Sequence, residues 1–364
     1  MKIREVASFL EELAPRSSQE NYDNSGLLIG DPQVLVSGVL ICLDCTETVV
    51  SEAVKLGCNL IIAHHPLIFG GLKSLTGANY CERTVLSCIK NDIALYAIHT
   101  NLDNYWKGVN YEIGTRLGLK NLRILEPKTN VLCSVIVYVP KDALEQVNNA
   151  VFEAGGGKIA NYESCHFHSN GTGTFKPVDD ANPTIGQVNK LSVVEEVRAE
   201  YLVSKHKIAA VLSAMKNVHP YEEVAHHVVP LSNENQTEGS GMIGELEQEM
   251  NEIEFLNQLK ATFNCGVIRH TGLLGKPIKK IAFCGGSGSF LLKKAIREQA
   301  DIFVTGDFKY HEFFDADNQL VIADIGHYES EQFTSNLIAA ILKKKFTTFA
   351  VHLTGINTNP INYF

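Results

Sequence analysis

The chain lacks any uninterrupted apolar stretch near the ~20 residues that a membrane-spanning helix needs, although 45% of its 364 residues are hydrophobic. Its opening, MKIREVASFLEELAP, sets Glu5, Glu11 and Glu12 among the apolar positions. That pattern reads as an amphipathic helix rather than the apolar core of a signal peptide. Blocks of like charge and low-complexity tracts are also missing, which argues against extensive disorder. Positive charge is in deficit: 32 Lys and Arg stand against 41 Asp and Glu, a net charge of -9. General binding to DNA, RNA or an anionic membrane is therefore not expected. The nine cysteines are an odd, scattered set without a disulfide framework, which favours a reducing, cytoplasmic setting. Cys42 and Cys45 have redox-motif spacing, but they sit in the apolar run SGVLICLDCTETVV. No second pair completes a thiol or zinc site there.

What is present is a series of short runs rich in Val and Ile: GVLICLD, NLIIAHH, IALYAIHTNLD, KIAFCGG, DIFVTGD and LVIADIGH. Helical patterns such as TETVVSEAVKLG and SFLLKKAIREQA separate several of them. Near-continuous apolar strands alternating with helices predict a mostly parallel α/β sheet covered on both faces. Nearly every run ends in a small polar cluster, and in open parallel sheets the ligand crevice lies beyond the carboxyl ends of the strands. These clusters are expected to gather along one edge.

Between Pro127 and Pro230 the order becomes strand-helix-strand, strand-helix-strand, that of a ferredoxin-like α+β domain. A polar linker, SNENQTEGSGMIGE, follows, and the earlier pattern resumes. The expected organisation is a discontinuous large domain over 1–127 and 233–364, interrupted by an insert over 128–232.

Metal-type ligands occur at four strand ends: His64 and His65; His99 and Asp103 in HTNLD; Asp307 and His311 in GDFKYH; His327 and Glu331 in GHYESE. Residues four apart on a helix share a face, which pairs His327 with Glu331. Neighbouring histidines at a strand end project differently, so one ion would suit the doublet poorly. Two adjacent ions could each take one ring, bridged by Glu331 or Asp103. Each element also has a simpler reading: an incidental doublet, a helix-surface pair, a helix cap at Asp103. The second histidine-rich stretch, HPYEEVAHH (His219 to His227), reads as ordinary sheet faces. The turn CGGSGSFLLKKA offers backbone N–H groups to an anion but is neither a dinucleotide fingerprint nor a P-loop.

The blocks DNSGLLIGD, IIAHHPLIF, HTNLD, GGSGS, TGDFKYHEFFDA and GHYESE, in this order, resemble the Nif-three-like family. Bacterial members of that family often bear the name GTP cyclohydrolase I type 2 homologue. The resemblance covers Met1 to about Lys128 and about Asn233 to Phe364, and the middle segment resembles the PII/CutA-like insert of longer members. One departure is Tyr22, at a position that is usually Trp.

The resemblance implies a layered α/β/α fold and a dinuclear centre held by His64, His65, Asp103, His327 and Glu331. It also implies a ring-shaped homohexamer capped by the inserted domains. Two divalent ions (Zn, Fe, Mn, Ni or Co) fit nitrogen and oxygen ligands without thiolate. The leading expectation is a metal-dependent hydrolase acting on a nucleotide or another phosphorylated small molecule, with GTP ring opening as the family suggestion. His99 or His311 would shuttle a proton. Lys73, Asp307, Lys309 and the turn Gly285, Gly286, Ser287, Gly288 and Ser289 would meet the phosphate or substrate. A non-enzymatic metal carrier and a regulatory scaffold are the rival expectations.

Overall fold

The computed structural model describes residues 1–364. It divides into two compact units, Met1–Pro127 with Thr237–Phe364, and Lys128–Gln236. Before the insert run β1 (Gly26–Ile29), β2 (Gly38–Cys42), β3 (Leu60–Ala63), β4 (Ala94–Ala97) and β5 (Lys120–Lys128). The insert carries β6 (Leu132–Pro140), β7 (Phe167–Phe175), β8 (Ser192–Ser204) and β9 (His226–Leu231). After it come β10 (Asn235–Met250), β11 (Arg269–His270), β12 (Ile278–Ser287), β13 (Ile302–Gly306), β14 (Val321–Asp324) and β15 (Ala350–Leu353).

The six apolar runs do form strands, but they build two sheets, not one. The first has the order β1-β4-β3-β2-β15 and the second β11-β14-β13-β12-β10-β5. Each is centred on a parallel triplet: β2, β3 and β4 in the first, β12, β13 and β14 in the second. The triplets are buried on both faces, which is why their sequences are almost purely apolar. Alternate residues make the division. Ile62 and Val304 join one large core that links both sheets with the apolar stripes of helices Ile3–Leu13, Val109–Arg116, Glu252–Thr262 and Thr334–Lys345. Ile61 faces the opposite way, into a core with Val49, Val50 and Val85, and Phe303 into a third with Leu292 and Ala295.

Helix starts within the first sheet are fixed locally. Asn79 caps Tyr80–Lys90 by accepting from the Glu82 N–H at 2.9 Å, and Thr46 likewise caps Glu47–Lys55. No helix is long and apolar enough to cross a membrane.

The second unit has the order β6, helix Leu144–Glu153, β7, β8, helix Ile208–Val218, β9. Its sheet runs β7-β8-β6-β9 with antiparallel neighbours throughout, the ferredoxin-like arrangement. Its core packs Val135, Val137, Ala199 and Tyr201 against Val147, Val151, Val211 and Met215.

Candidate metal centre

His64 and His65 follow β3 directly. Their N–H groups continue the ladder to β2, donating to the carbonyls of Cys42 at 3.1 Å and Leu43 at 2.9 Å. That holds two consecutive imidazoles rigidly while their rings tilt 44° apart. His99 follows β4 and opens the short turn Thr100–Asp103. His327 and Glu331 bound the short helix His327–Glu331 just after β14. Both parallel triplets thus end in a histidine followed four residues later by a carboxylate.

Every ring is anchored through Nδ1. His64 donates to the Ile98 carbonyl at 2.8 Å, His65 to Asp44 at 2.7 Å, His99 to Asp23 at 2.8 Å and His327 to Asp307 at 2.7 Å. Carbonyls and carboxylates only accept, so each Nδ1 carries a proton and each neutral ring keeps a lone pair at Nε2. A carboxylate or carbonyl behind an imidazole is the usual support of a metal-ligating histidine.

The Nε2 atoms converge on two carboxylates. His65 and His327 reach Glu331 Oε2 at 2.9 and 3.1 Å. His64 Nε2 lies 3.8 Å from Glu331 Oε1 and 3.5 Å from Asp103 Oδ1. The two oxygens of Glu331 are thereby divided between two ligand groups: His65, His327 and Glu331 in one, His64, Asp103 and Glu331 in the other. His99 joins His64 and His65 in a third group, with ligand atoms within 4.8 Å of one another.

With protein groups alone this arrangement is electrostatically incomplete. His64 Nε2 and Asp103 Oδ1 are buried without a hydrogen-bond partner, a costly state for polar atoms. Burial opposes charge on His65, yet its bonds to Asp44 and Glu331 hold its pKa up at about 9. Burial likewise opposes charge on His327, but Glu331 and Asp307 hold it at about 11. Burial, reinforced by the Glu331 charge, pushes Asp103 up to about 8. Glu331 itself stays well below the usual carboxylate range, because His327 and the other rings outweigh its burial. Extra protons do here what cations would do, and the donor set of imidazole and carboxylate could hold a metal ion.

The glycines at the carboxyl end of β12 serve this cluster. Gly286 has φ +63°, and a Cβ there would lie 2.4 Å from Glu331 Oε1. Gly285 donates its N–H to Asn110 Oδ1 at 2.9 Å and Gly286 donates to Ser330 Oγ at 2.9 Å. Two amides of the expected anion cradle are already engaged. The cluster opens into a cavity of about 470 Å³, lined in part by Gly285, Ser287, Tyr22, Phe69, Phe290 and Tyr328, with no lysine or arginine in its wall.

The structure therefore brings together His64, His65, His99, Asp103, His327 and Glu331, and places other expected residues elsewhere. His311 is exposed, with its ring between Tyr310 and Phe314. Lys73 and Lys309 are exposed and outside the cavity wall, and the Lys309 N–H donates to Glu312. Gly288 and Ser289 also lie outside that wall. Asp307 orients His327 and does not contribute to the wall. Asp23 and Asp44, the acceptors behind His99 and His65, were not among the expected supports; Asp44 ends the apolar run GVLICLD, whereas Asp23 lies in the polar stretch before β1 and gives no such signal. Cys42 and Cys45 are buried apolar residues. His219 bonds to the Tyr138 carbonyl and the Tyr221 N–H, and no ligand group includes it.

Comparison with known proteins places this geometry in a family. The model for Duf34/NIF3 (NGG1p interacting factor 3) matches residues 1–360. A Staphylococcus epidermidis protein named GTP cyclohydrolase 1 type 2 homolog is 38% identical over 367 residues, 100% of each chain. A Staphylococcus aureus protein of the same name is 39% identical over 368 residues, again 100% of each. Among solved structures, a Bacillus cereus protein related to NIF3 has 38% identity and a TM-score of 0.87, covering 100% of this chain and 99% of that one. A Staphylococcus aureus structure follows with 34% identity and a TM-score of 0.79 over the same shares. The chain belongs to the Duf34/NIF3 family.

Proposed function

We propose that this protein is a dinuclear metal-dependent hydrolase acting on a small molecule. The observation that carries the reading is the division of Glu331: one oxygen faces His65 and His327, the other faces His64. His64 and Asp103 would hold one divalent ion, His65 and His327 the other, and Glu331 both. Bound divalent ions would supply Lewis-acid polarisation and make water more acidic. Asp44, Asp307 and the Ile98 carbonyl fix the rings. His99, with its Nδ1–H donated to Asp23, would take up or return a proton at Nε2.

The name borne by the relatives suggests GTP as a substrate. The cavity wall tempers that suggestion: a triphosphate would find neither lysine nor arginine there. A ligand that places its polar group at the ions and its apolar or aromatic body against Tyr22, Phe69 and Phe290 suits the wall better.

In this reading 1–127 and 233–364 form the metal-binding domain. Residues 128–232 form a PII/CutA-like insert, supported by its βαββαβ order. A cytoplasmic homohexamer is part of the same proposal, and light scattering of the purified protein tests the assembly.

The function is tested by elemental analysis of protein purified without added metal or chelator, followed by turnover assays on a panel including GTP and uncharged nucleosides. About two ions per chain, with turnover abolished by a chelator and restored by metal, is the expected result. No metal after reconstitution would overturn the reading. A second reading, an ion carrier, is favoured by the exposure gradient across the cluster. The His64 side chain is fully buried, whereas that of His327 is 33% exposed. Ready exchange of ions without turnover would select it.

A further inference from the structure

The segment that follows β15 returns along the wall of the cavity. It is pinned at its start, where the Thr354 hydroxyl and the Gly355 N–H both donate to the Glu52 carboxylate. Farther along, Asn359 donates its side-chain amide to Glu329 Oε1 at 3.3 Å, and Asn359, Pro360 and Ile361 line the cavity. Between these points the Thr358 hydroxyl donates to Asp44 Oδ2 at 2.8 Å. Asp44 Oδ1 accepts from His65 Nδ1 at 2.7 Å. One carboxylate therefore spends one oxygen on an imidazole of the cluster and the other on a hydroxyl more than 300 positions away in the chain.

This chain of contacts has a chemical consequence. An imidazole that donates Nδ1–H to a carboxylate is more basic at Nε2 and is held in one orientation. The carboxylate does this only while its own plane is fixed. A half-exposed Asp44 with one free oxygen could rotate about its terminal torsion, which is broad for Asp. The Thr358 hydroxyl removes that freedom.

We propose that Thr358 is a positioning residue for the metal centre, acting through Asp44 on His65. The proposal rests on His65 being a ligand, as the proposed function holds. It adds that affinity at the ion shared by His65, His327 and Glu331 is set partly by a segment distant in sequence from every ligand of that ion except the His327–Glu331 helix.

The test titrates metal-free full-length protein with Co²⁺, following visible absorption, in the natural chain and in Thr358→Val, Thr358→Ser, Asp44→Asn and the double variant Asp44→Asn/Thr358→Val. Asp44→Asn should weaken one equivalent of Co²⁺ by ~10–100-fold, and Thr358→Val by a smaller ~3–10-fold. Thr358→Ser, which keeps the hydroxyl, should match the natural chain, and the double variant should match Asp44→Asn alone because the effect passes through Asp44. Metal-free Thr358→Val should unfold at the natural temperature, which separates positioning from simple anchoring of the segment. Unchanged Co²⁺ affinity in Thr358→Val, equal loss in Thr358→Ser, or additive losses in the double variant would each overturn the proposal. A Thr358→Val protein that does not fold leaves the serine variant and Asp44→Asn: loss in the first, or none in the second, overturns it equally. If the natural chain bound no Co²⁺, the metal-centre reading would fall first and take this one with it.

Discussion

His65 Nε2 and His327 Nε2 lie 3.3 Å apart although 262 positions separate them in the chain. Both rings have Nδ1 committed to a carboxylate, so in their neutral forms two lone pairs face each other across that gap. Only a proton or a cation makes such an approach favourable. The relationship is produced by two parallel triplets that end side by side, one delivering His65 and the other His327.

Replacing the shared carboxylate tests that arrangement most directly. Glu331→Gln keeps the shape of the side chain and removes its charge, leaving His65, His327 and His64 without their common anion. The variant is expected to lose at least one ion per chain with its far-ultraviolet circular dichroism unchanged. Metal content equal to that of the natural protein would refute a bridging role.

Gly286→Ala approaches the same oxygen from the backbone. An Ala at φ +63° costs roughly 1–2 kcal/mol, and its Cβ would sit 2.4 Å from Glu331 Oε1. The side chain of Glu331 must move, so metal affinity should fall together with the unfolding temperature. A variant that unfolds earlier but binds metal normally would show that Glu331 has room to adjust.

Asp307→Asn probes the support behind His327. The ring would lose a charged acceptor for its Nδ1–H, and the expected cost is ~10–100-fold in affinity for one ion. Calorimetric titration with Zn²⁺ or Mn²⁺ would read it. An unchanged affinity would return Asp307 to the substrate role first expected of it.

Removing the insert should leave the centre intact. β5 and β10, through which the chain leaves and re-enters the first unit, are hydrogen-bonded neighbours in the second sheet. A short glycine-serine link across that gap needs to span only adjacent strands. The shortened protein is expected to be folded and to carry the same metal per chain as the full one. A folded product without metal would sink the assignment of all ligands to the first unit.

These outcomes bear on how far a sequence can be read. That His64, His65, Asp103, His327 and Glu331 would gather was legible because each lies at or just after an apolar run, where strand ends collect polar groups. The existence of two sheets was not, because a run such as KIAFCGG carries the same apolar signature whichever sheet it joins. The engagement of the glycine amides was hidden for a comparable reason: the Gly285 N–H is taken up by Asn110, 175 positions away. Proximity in the chain did not bring His311 to the cluster: it lies four positions after Asp307, in the turn Tyr310–Ala316, beside Tyr310 and Phe314. Local pattern picks out candidate ligands, while the second partner of each is a matter of tertiary neighbours.

The pairing of β15 with β2 carries a consequence for biosynthesis. Val39 and Ile41 on β2 wait for Val351 and Leu353, and about 300 residues must be made between the two strands. At roughly 5–20 residues per second, that edge of the first sheet stays open for about 15–60 s on the ribosome. An exposed apolar edge invites pairing with another nascent chain. That risk lasts until β15 has been made and has docked beside β2, so the first sheet is completed among the last steps of folding.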